Sequence, residues 1–104
     1  VYYHRNKYII MEKDIKKIYA YNGYVCIYAG DKIFRKEVSL KKMLEELEAG
    51  LFFQIDRKTI VRFAEVKNYE KGFFYIGREK IKVARDRKKL FEKAYIEYDL
   101  RYKI

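Results

Sequence analysis

Residues 15–29 read IKKIYAYNGYVCIYA, two runs rich in β-branched and aromatic side chains that meet at Asn22-Gly23. Strands favour such side chains. An Asn-Gly pair between two such runs is a strong hairpin signal, because a two-residue primed turn needs residues that accept positive φ. The stretch therefore predicts a hairpin of strands Ile15–Tyr21 and Tyr24–Ala29.

Short strand-like runs continue on both sides of this hairpin. Turn-forming pairs separate them at Gly30-Asp31, Lys71-Gly72 and Gly77-Arg78. Many short strands at spacings of about ten residues predict a mostly β domain of small antiparallel sheets. The other predicted strands are Tyr8–Met11, Lys32–Val38, Phe52–Asp56, Glu65–Tyr69, Phe73–Ile76 and Lys80–Val83.

Two segments have helical rather than strand periodicity. Ser39 can cap a short helix and Gly50 can end it in the left-handed region. The apolar face of this helix is expected to pack on the sheet and consists of Leu40, Met43, Leu44 and Leu47. A second helix is predicted from Asp86, as N-cap, to about Tyr98, with an apolar face of Leu90, Phe91, Ala94 and Tyr98.

The charge balance favours a polyanionic partner. The 104 residues contain 25 Lys and Arg against 15 Asp and Glu, a net charge of +10. Residues 57–93 alone hold 13 basic and 5 acidic side chains. Such a basic domain is typical of nucleic-acid binders, while an acidic membrane surface, or no polyanion at all, remains an alternative. The length predicts one domain over residues 1–104, and because the chain does not begin with Met we expect it to be excised from a longer protein.

Catalysis and metal binding have little support. The chain has one cysteine, Cys26, and one histidine, His4, so no Cys/His metal cluster or nucleophile–base set can be built. Cys26 lies in a predicted strand and is expected to be a small core residue. We expect no enzyme activity, no metal site and no cofactor. A single cysteine and the absence of a long apolar run or signal peptide fit a cytoplasmic protein with no membrane segment.

Basic side chains cluster where the chain turns. Arg57 and Lys58 follow a predicted strand, and the second helix begins beside Arg85, Arg87, Lys88 and Lys89. Arginine at a loop can bind guanine in the major groove through two hydrogen bonds, while lysine and backbone N–H groups hold phosphates. Solvated surface charge is an equally good interpretation of these residues taken alone.

The chain also contains 12 Tyr and 7 Phe. Aromatic side chains can stack on single-stranded bases. Most of these residues alternate within predicted strands, however, and are expected to fill the core or cover the sheet faces. Tyr24 differs, because it directly follows the Asn22-Gly23 turn and can face a partner.

Three motifs follow one another along the chain. The first is DIKKIYAYNGYV at residues 14–25. The second is Ser39-Leu40 opening a short helix, followed by FFQIDRKTIV at residues 52–61. The third is IKVARDR at residues 81–87. Together, from about Tyr8 to Ala94, they resemble the LytTR family of DNA-binding domains, the output modules of many bacterial response regulators.

The resemblance implies an elongated, mostly β domain that reads duplex DNA with loops. In the family these loops enter successive major grooves of bent DNA, commonly at paired direct repeats in promoters. Carried onto this sequence, the loops are Asn22-Gly23-Tyr24, Arg57-Lys58 and Arg85 to Arg87. The resemblance also implies a receiver or other regulatory domain outside these residues, and a homodimer on DNA.

Several positions depart from the family pattern. Asp56, Lys58, Arg62, Ala84 and Asp86 stand where His, Ser, Asn, Ser and Arg are usual. Asp56 and Asp86 repel phosphate, so Lys58 and Arg87 are expected to supply those contacts instead.

The sequence therefore predicts a sequence-specific duplex DNA-binding domain of a transcriptional regulator. Arg57 and Arg85 are the first choices for reading base edges, with Arg87 and Tyr24 next. Lys58, Lys88 and Lys89 would hold phosphates. Two alternatives remain: a protein-interaction module whose basic surface meets an acidic partner, and a single-stranded nucleic-acid binder that stacks bases on Tyr and Phe.

Overall fold

A computed structural model describes the backbone at residues 2–3 and 8–102 and the side chains over residues 9–102. Over these ranges the chain forms ten strands and two α-helices, which confirms the predicted class. Three 3₁₀ turns lie at Glu12–Asp14, Phe63–Glu65 and Arg85–Arg87. The elements are β1 (Tyr2–Tyr3), β2 (Tyr8–Ile9), β3 (Ile15–Tyr21), β4 (Tyr24–Ala29), β5 (Lys32–Lys36), α1 (Leu40–Glu46), β6 (Phe52–Gln54), β7 (Thr59–Arg62), β8 (Lys67–Glu70), β9 (Phe73–Ile76), β10 (Glu79–Lys82) and α2 (Lys88–Tyr102).

The strands form small antiparallel sheets. The largest has the order β5-β4-β3-β7-β6, a second has the order β10-β9-β8, and β1 pairs with β2. The domain measures 39 × 30 × 26 Å along its principal axes, so it is longer in one direction. Each of the two larger sheets presents one face to a hydrophobic core, and a helix packs on each core.

The β3–β4 hairpin has the predicted bounds, with Tyr21 opposite Tyr24 across a two-residue turn. Gly23 adopts positive φ (+85°), but Asn22 does not, so the expected primed geometry is absent from this turn. The β8–β9 turn instead has positive φ at both Lys71 (+51°) and Gly72 (+87°). The β8–β9 turn therefore has the primed geometry that matches the twist of the strands it joins.

The first core lies between the large sheet and α1. Strand β4 alternates between half-buried and buried residues, and its buried side chains Val25 and Ile27 face α1 with Ile18 and Ile60. The Ser39 side chain caps α1 by accepting the backbone N–H of Lys42 at 3.1 Å, as predicted. The predicted apolar face of this helix is confirmed: Leu40, Met43 and Leu47 are buried, and Leu44 packs against them.

The second core lies between the small sheet, α2 and the β6–β7 edge of the large sheet. Phe91 on α2 is fully buried and stacks on Phe74 of β9, with 5.6 Å between ring centroids. At the rim, Tyr69 donates a hydrogen bond to the Glu92 carboxylate. Burial, followed by this hydrogen bond to a negative group, raises the pKa of Tyr69 to about 12.

Two strands, β1 and β7, were not predicted, and three, β2, β5 and β6, end two residues earlier than predicted. Strand β7 lies between β3 and β6, and its Ile60 and Val61 are buried in different cores, so the run lacks the alternation that marks a half-buried strand. The predicted strand Phe52–Asp56 ends at Gln54 because the carbonyl of Ile55 leaves the ladder and accepts the N–H of Ala84. The other predicted strands agree with the structure to within two residues at either end.

The helix ends also differ from expectation. Helix α1 ends at Leu47, whose ψ of 155° is extended, and Gly50 takes positive φ (+87°) only in the turn beyond it. Asp86 is not the N-cap of α2, because it lies inside the 3₁₀ turn that leads into the helix. Leu90 was expected on the apolar face of α2 but is 56% exposed, and Tyr95 lies beside Phe91 on that face instead.

Two further expectations concern single residues. Cys26 is half-buried on the face of β4 opposite the first core, where its neighbours across the sheet are Tyr19 and Arg35, so it is not a core residue. None of the tyrosines between residues 9 and 102 is fully buried: Tyr69, Tyr95 and Tyr98 pack against the second core, and the others cover sheet and helix faces. His4 lies outside the described residues.

Candidate nucleic-acid interface

Three loops carry the residues singled out by the sequence: the tip loop, residues 22–24; the turn loop, residues 56–58; and the helix loop, residues 84–89. The tip loop joins β3 to β4 and exposes Asn22 and Gly23. Tyr24 is half-buried, because the ring of Tyr21 stacks beside it at 6.0 Å and the Arg35 guanidinium lies 3.7 Å from its ring centroid. One face of Tyr24 is therefore already occupied by an arginine.

The turn loop is shaped by Asp56. Its carboxylate oxygen Oδ1 accepts the backbone N–H of Lys58 at 2.8 Å, and its carbonyl accepts the Gln54 side-chain amide at 2.9 Å. An Asp side chain that accepts the backbone N–H two residues later mimics a backbone turn, and here the Ile55 N–H also donates to the Thr59 carbonyl across the turn at 3.0 Å. These bonds hold the turn while Arg57 and Lys58 remain exposed.

A backbone hydrogen bond ties the turn loop to the base of the tip loop. The carbonyl of Lys58 accepts the N–H of Ala20 at 2.8 Å, and the next residue, Thr59, pairs with Tyr19. At this junction a cavity of about 240 Å³ is lined by Tyr19, Asp56, Arg57 and Lys58. A separate cavity of about 260 Å³ lies beside α2. The two loops are therefore neighbours at one end of the large sheet.

A second backbone hydrogen bond ties the helix loop to the turn loop. The N–H of Ala84 donates to the carbonyl of Ile55 at 2.9 Å. Arg87 strengthens the junction: its Nε donates to the carbonyl of Gln54, and its guanidinium lies 5.1 Å from the Phe53 ring centroid. Arg87 is half-buried and holds this junction together.

The other cations of the helix loop are placed differently from Arg87. Arg85 and Lys89 are exposed, and Lys88 is half-buried with its side chain against Gly72. Four ion pairs occur over residues 9–102, and none of them includes a cation of the turn loop or helix loop. Over the same residues, positive charge that no ion pair engages is therefore concentrated where the loops meet.

The structure adds residues that the sequence did not single out. Arg35 reaches the tip loop because it lies on β5, on the same sheet face as Tyr24. Lys71 is exposed next to Gly72, beside the helix loop. Strand alternation places Arg35 on the outer face, but only the β4–β5 register brings it to the hairpin.

Arg62 stands where the family usually has Asn. Its guanidinium donates to the carbonyl of Ile15 at 2.6 Å and forms an ion pair with Glu65.

Over the part of the chain that the structure describes, no group of three or more His, Cys, Asp and Glu side chains is placed to hold a metal ion. In the same part, no helix is both long and apolar enough to cross a membrane.

Comparisons with known proteins agree with this architecture. A model of the LytTr DNA-binding domain matches residues 5–96. No curated protein sequence matches the chain. Among solved structures, the chain is similar to the LytTr DNA-binding domain of a protein described as a methyl-accepting/DNA response regulator from Bacillus cereus. That match has a TM-score of 0.68 and 15% sequence identity, and it covers 79% of this chain and 81% of the other.

The family model covers most of the chain, and the solved domain shares its fold. The mostly β class, with two helices and small antiparallel sheets, is the one that the sequence motifs led us to expect. The chain therefore belongs to the LytTR family of DNA-binding domains, whose members act in transcription regulation.

Proposed function

We propose that this domain binds a specific duplex DNA site through the tip, turn and helix loops together. The observation that carries the proposal is the pair of backbone hydrogen bonds, Ala20 N–H to Lys58 O and Ala84 N–H to Ile55 O, which join the three loops side by side. A row of adjoining loops with exposed cations is suited to follow one face of a duplex.

The residues take different roles in this proposal. Arg57 and Arg85 are exposed and belong to no ion pair over residues 9–102, so their guanidinium groups can bind guanine edges. Lys58 and Lys89 are exposed point charges suited to phosphates. Lys88, half-buried, would contact phosphate close to the protein surface. Asn22, Gly23 and Tyr24 bring backbone and aromatic groups to the edge of the site. Arg87 is held by Gln54 and Phe53, so only its remaining N–H groups are available to DNA.

The finer features of the proposal concern the DNA and the whole protein. The loops would enter successive major grooves, and two domains would bind paired direct repeats in a promoter as a homodimer. A receiver or other regulatory domain outside these 104 residues would control this binding in a cytoplasmic bacterial regulator. In this scheme the chain has no enzymatic role.

Selection from random duplex DNA tests the proposal directly. The purified domain is expected to enrich one motif, and to bind it about a thousandfold or more above scrambled duplex at physiological salt. A spaced repeat among the winners would support paired binding. Binding that follows salt alone, with no preferred sequence, would contradict specific recognition.

A second candidate function rests on the uncovered outer face of β3, β4 and β5. Tyr21 is 53% exposed and Ile33 is 61% exposed on this face, and no helix packs there over the described residues. Such a face suits a protein partner. This function predicts no preference among DNA sequences, so the same selection separates the two candidates.

A further inference from the structure

The outer face of the small sheet has a composition that core packing does not explain. Phe73 and Tyr75 on β9 are each 36% exposed, while Phe74 and Ile76, which alternate with them, are buried in the second core. The residues opposite them on β10 are lysines: Lys82 pairs with Phe73, and Lys80 pairs with Tyr75. We call this surface the basic aromatic face; it consists of Lys67, Glu70, Lys71, Phe73, Tyr75, Lys80 and Lys82.

The basic aromatic face carries a positive charge that the fold leaves unneutralised. It has four lysines against the single carboxylate of Glu70, and all five side chains are exposed. None of them belongs to an ion pair among residues 9–102. The ammonium groups of Lys80 and Lys82 lie 4.7 and 6.0 Å from the centroid of the Phe73 ring. A ring in this position holds the two cations on the surface by cation–π attraction.

This face is continuous with the helix loop. Lys82 is the last residue of β10, and Arg85 begins the 3₁₀ turn three residues later. The carbonyl of Gly72 accepts the N–H of Val83 at 2.9 Å. A methyl group at the Gly72 Cα would come within 3.5 Å of the Lys88 side chain. The β8–β9 turn therefore packs directly on the proposed DNA interface, and Lys71 and Lys82 lie at its border.

We propose that the basic aromatic face binds the sugar–phosphate backbone of duplex DNA beyond the segment that the three loops read. This inference rests on the proposed function, because the loops must first place a duplex beside the helix loop. Lysine is suited to phosphate as a mobile point charge and carries no base-sequence information. The face would therefore increase affinity, and the length of DNA required, without changing the preferred sequence.

The position of the two lysines favours duplex backbone over single-stranded bases as the occupant. Stacking of a base requires an open aromatic face. Here Lys80 and Lys82 lie over the Phe73 ring, so their ammonium groups meet an approaching ligand before the ring does. Such a surface matches the charge of a phosphate backbone.

The test compares Lys80→Gln/Lys82→Gln with the matched variant Lys41→Gln/Lys42→Gln. Lys41 and Lys42 are exposed on α1, the helix that packs on the first core. Both variants lose two positive charges, and glutamine keeps most of the aliphatic stem. Each protein is titrated against the selected site in duplexes with long and with trimmed flanks, over a series of salt concentrations. Thermal unfolding confirms that both variants fold.

For the wild type, we expect trimming of the flank on one side to weaken binding and to lower the salt slope. In Lys80→Gln/Lys82→Gln the slope on long duplex should fall by about 1.8, since each lost phosphate contact removes about 0.9. Trimming that flank should then weaken binding less than it does in the wild type, because only Lys67 and Lys71 remain on the face, and the preferred sequence should not change. The α1 variant should keep the wild-type slope and the wild-type flank dependence.

Two results would overturn the inference while leaving the proposed function intact. One is a Lys80→Gln/Lys82→Gln protein that keeps the wild-type slope and flank dependence. The other is a wild-type protein whose specific binding does not depend on flank length. Tighter binding to the single strands than to the duplex would overturn the choice of occupant. A wild-type protein without any preferred duplex site would show that the proposed function itself is wrong.

Discussion

The backbone N–H of Ala84 donates to the carbonyl of Ile55 at 2.9 Å, although 28 intervening residues build most of the second core. Through this bond, the start of the helix loop lies against the start of the turn loop. The exposed Arg57 and Arg85 therefore extend from adjoining parts of one surface. Because these side chains are exposed, substitutions in the loops should affect DNA binding without disturbing either core.

Replacing Arg85 by alanine should weaken binding to the selected site by about 1–3 kcal/mol and relax the preference at one base position. The side chain is exposed and has no ion-pair partner over residues 9–102, so the thermal unfolding temperature should stay near the wild-type value. Competition titrations against each single-base change in the site measure the effect. An Arg85→Ala protein with full affinity and preference would remove Arg85 from the reading residues.

Replacing Lys89 by alanine should have a different signature. A phosphate contact carries no sequence information, so affinity should fall equally for specific and scrambled duplex, and the salt slope should fall by about one. Binding measured over a salt series on both duplexes provides the test. A loss confined to the specific site would instead assign Lys89 to base reading.

The Asp56 variants separate turn formation from charge. Asp56→Ala removes the acceptor for the Lys58 N–H and should lower the free energy of unfolding by about 1 kcal/mol. Asp56→Asn keeps an acceptor oxygen, so it should retain most of that stability, and the lost negative charge should leave DNA binding equal or tighter. Chemical denaturation and duplex titration of both variants give the comparison. Equal stability of the two variants would show that the carboxylate bond does not support the turn.

The packing of α2 predicts opposite outcomes at adjacent residues. Phe91→Ala removes a fully buried ring from the second core and should cost about 3–5 kcal/mol of unfolding free energy. Leu90→Ala changes a side chain that is 56% exposed, so the cost should stay within about 0.5 kcal/mol. Denaturant unfolding of the two variants measures the difference. Similar costs at both positions would contradict this orientation of the helix.

Tyr69 should make stability fall in alkaline solution. Its pKa is raised to about 12 in the folded protein from an ordinary value of 10, so folding favours the neutral phenol. The resulting stabilisation is complete below pH 10 and is lost as the pH rises towards 12. In Tyr69→Phe this contribution is absent, so the stability difference between wild type and variant should narrow over that range.

Unfolding free energies measured from pH 8 to 11.5 test the Tyr69 prediction. A difference between the wild type and Tyr69→Phe that stays constant over this range would show that the Tyr69 phenol is not coupled to folding.

Local signals in the sequence determined the hairpins, the Ser39 cap and the apolar face of α1. Each depends on residues only a few positions apart: the Asn22-Gly23 turn on its two flanking runs, and the cap on the Lys42 N–H three residues later. Such short-range preferences act before the chain has folded. The three motifs likewise determined the family, because their order is a property of the chain itself.

Only the tertiary structure decided how these pieces meet. Strand β7 is recognisable only in the folded structure, where it lies between β3 and β6. Its two faces are buried in different cores, so its sequence lacks the alternation of apolar and polar residues that marks a half-buried strand. The junction of the loops depends on backbone bonds from Ala20 to Lys58 and from Ala84 to Ile55, which join residues far apart along the chain. Backbone groups of this kind have no sequence signature, since every residue except proline carries the same donor and acceptor.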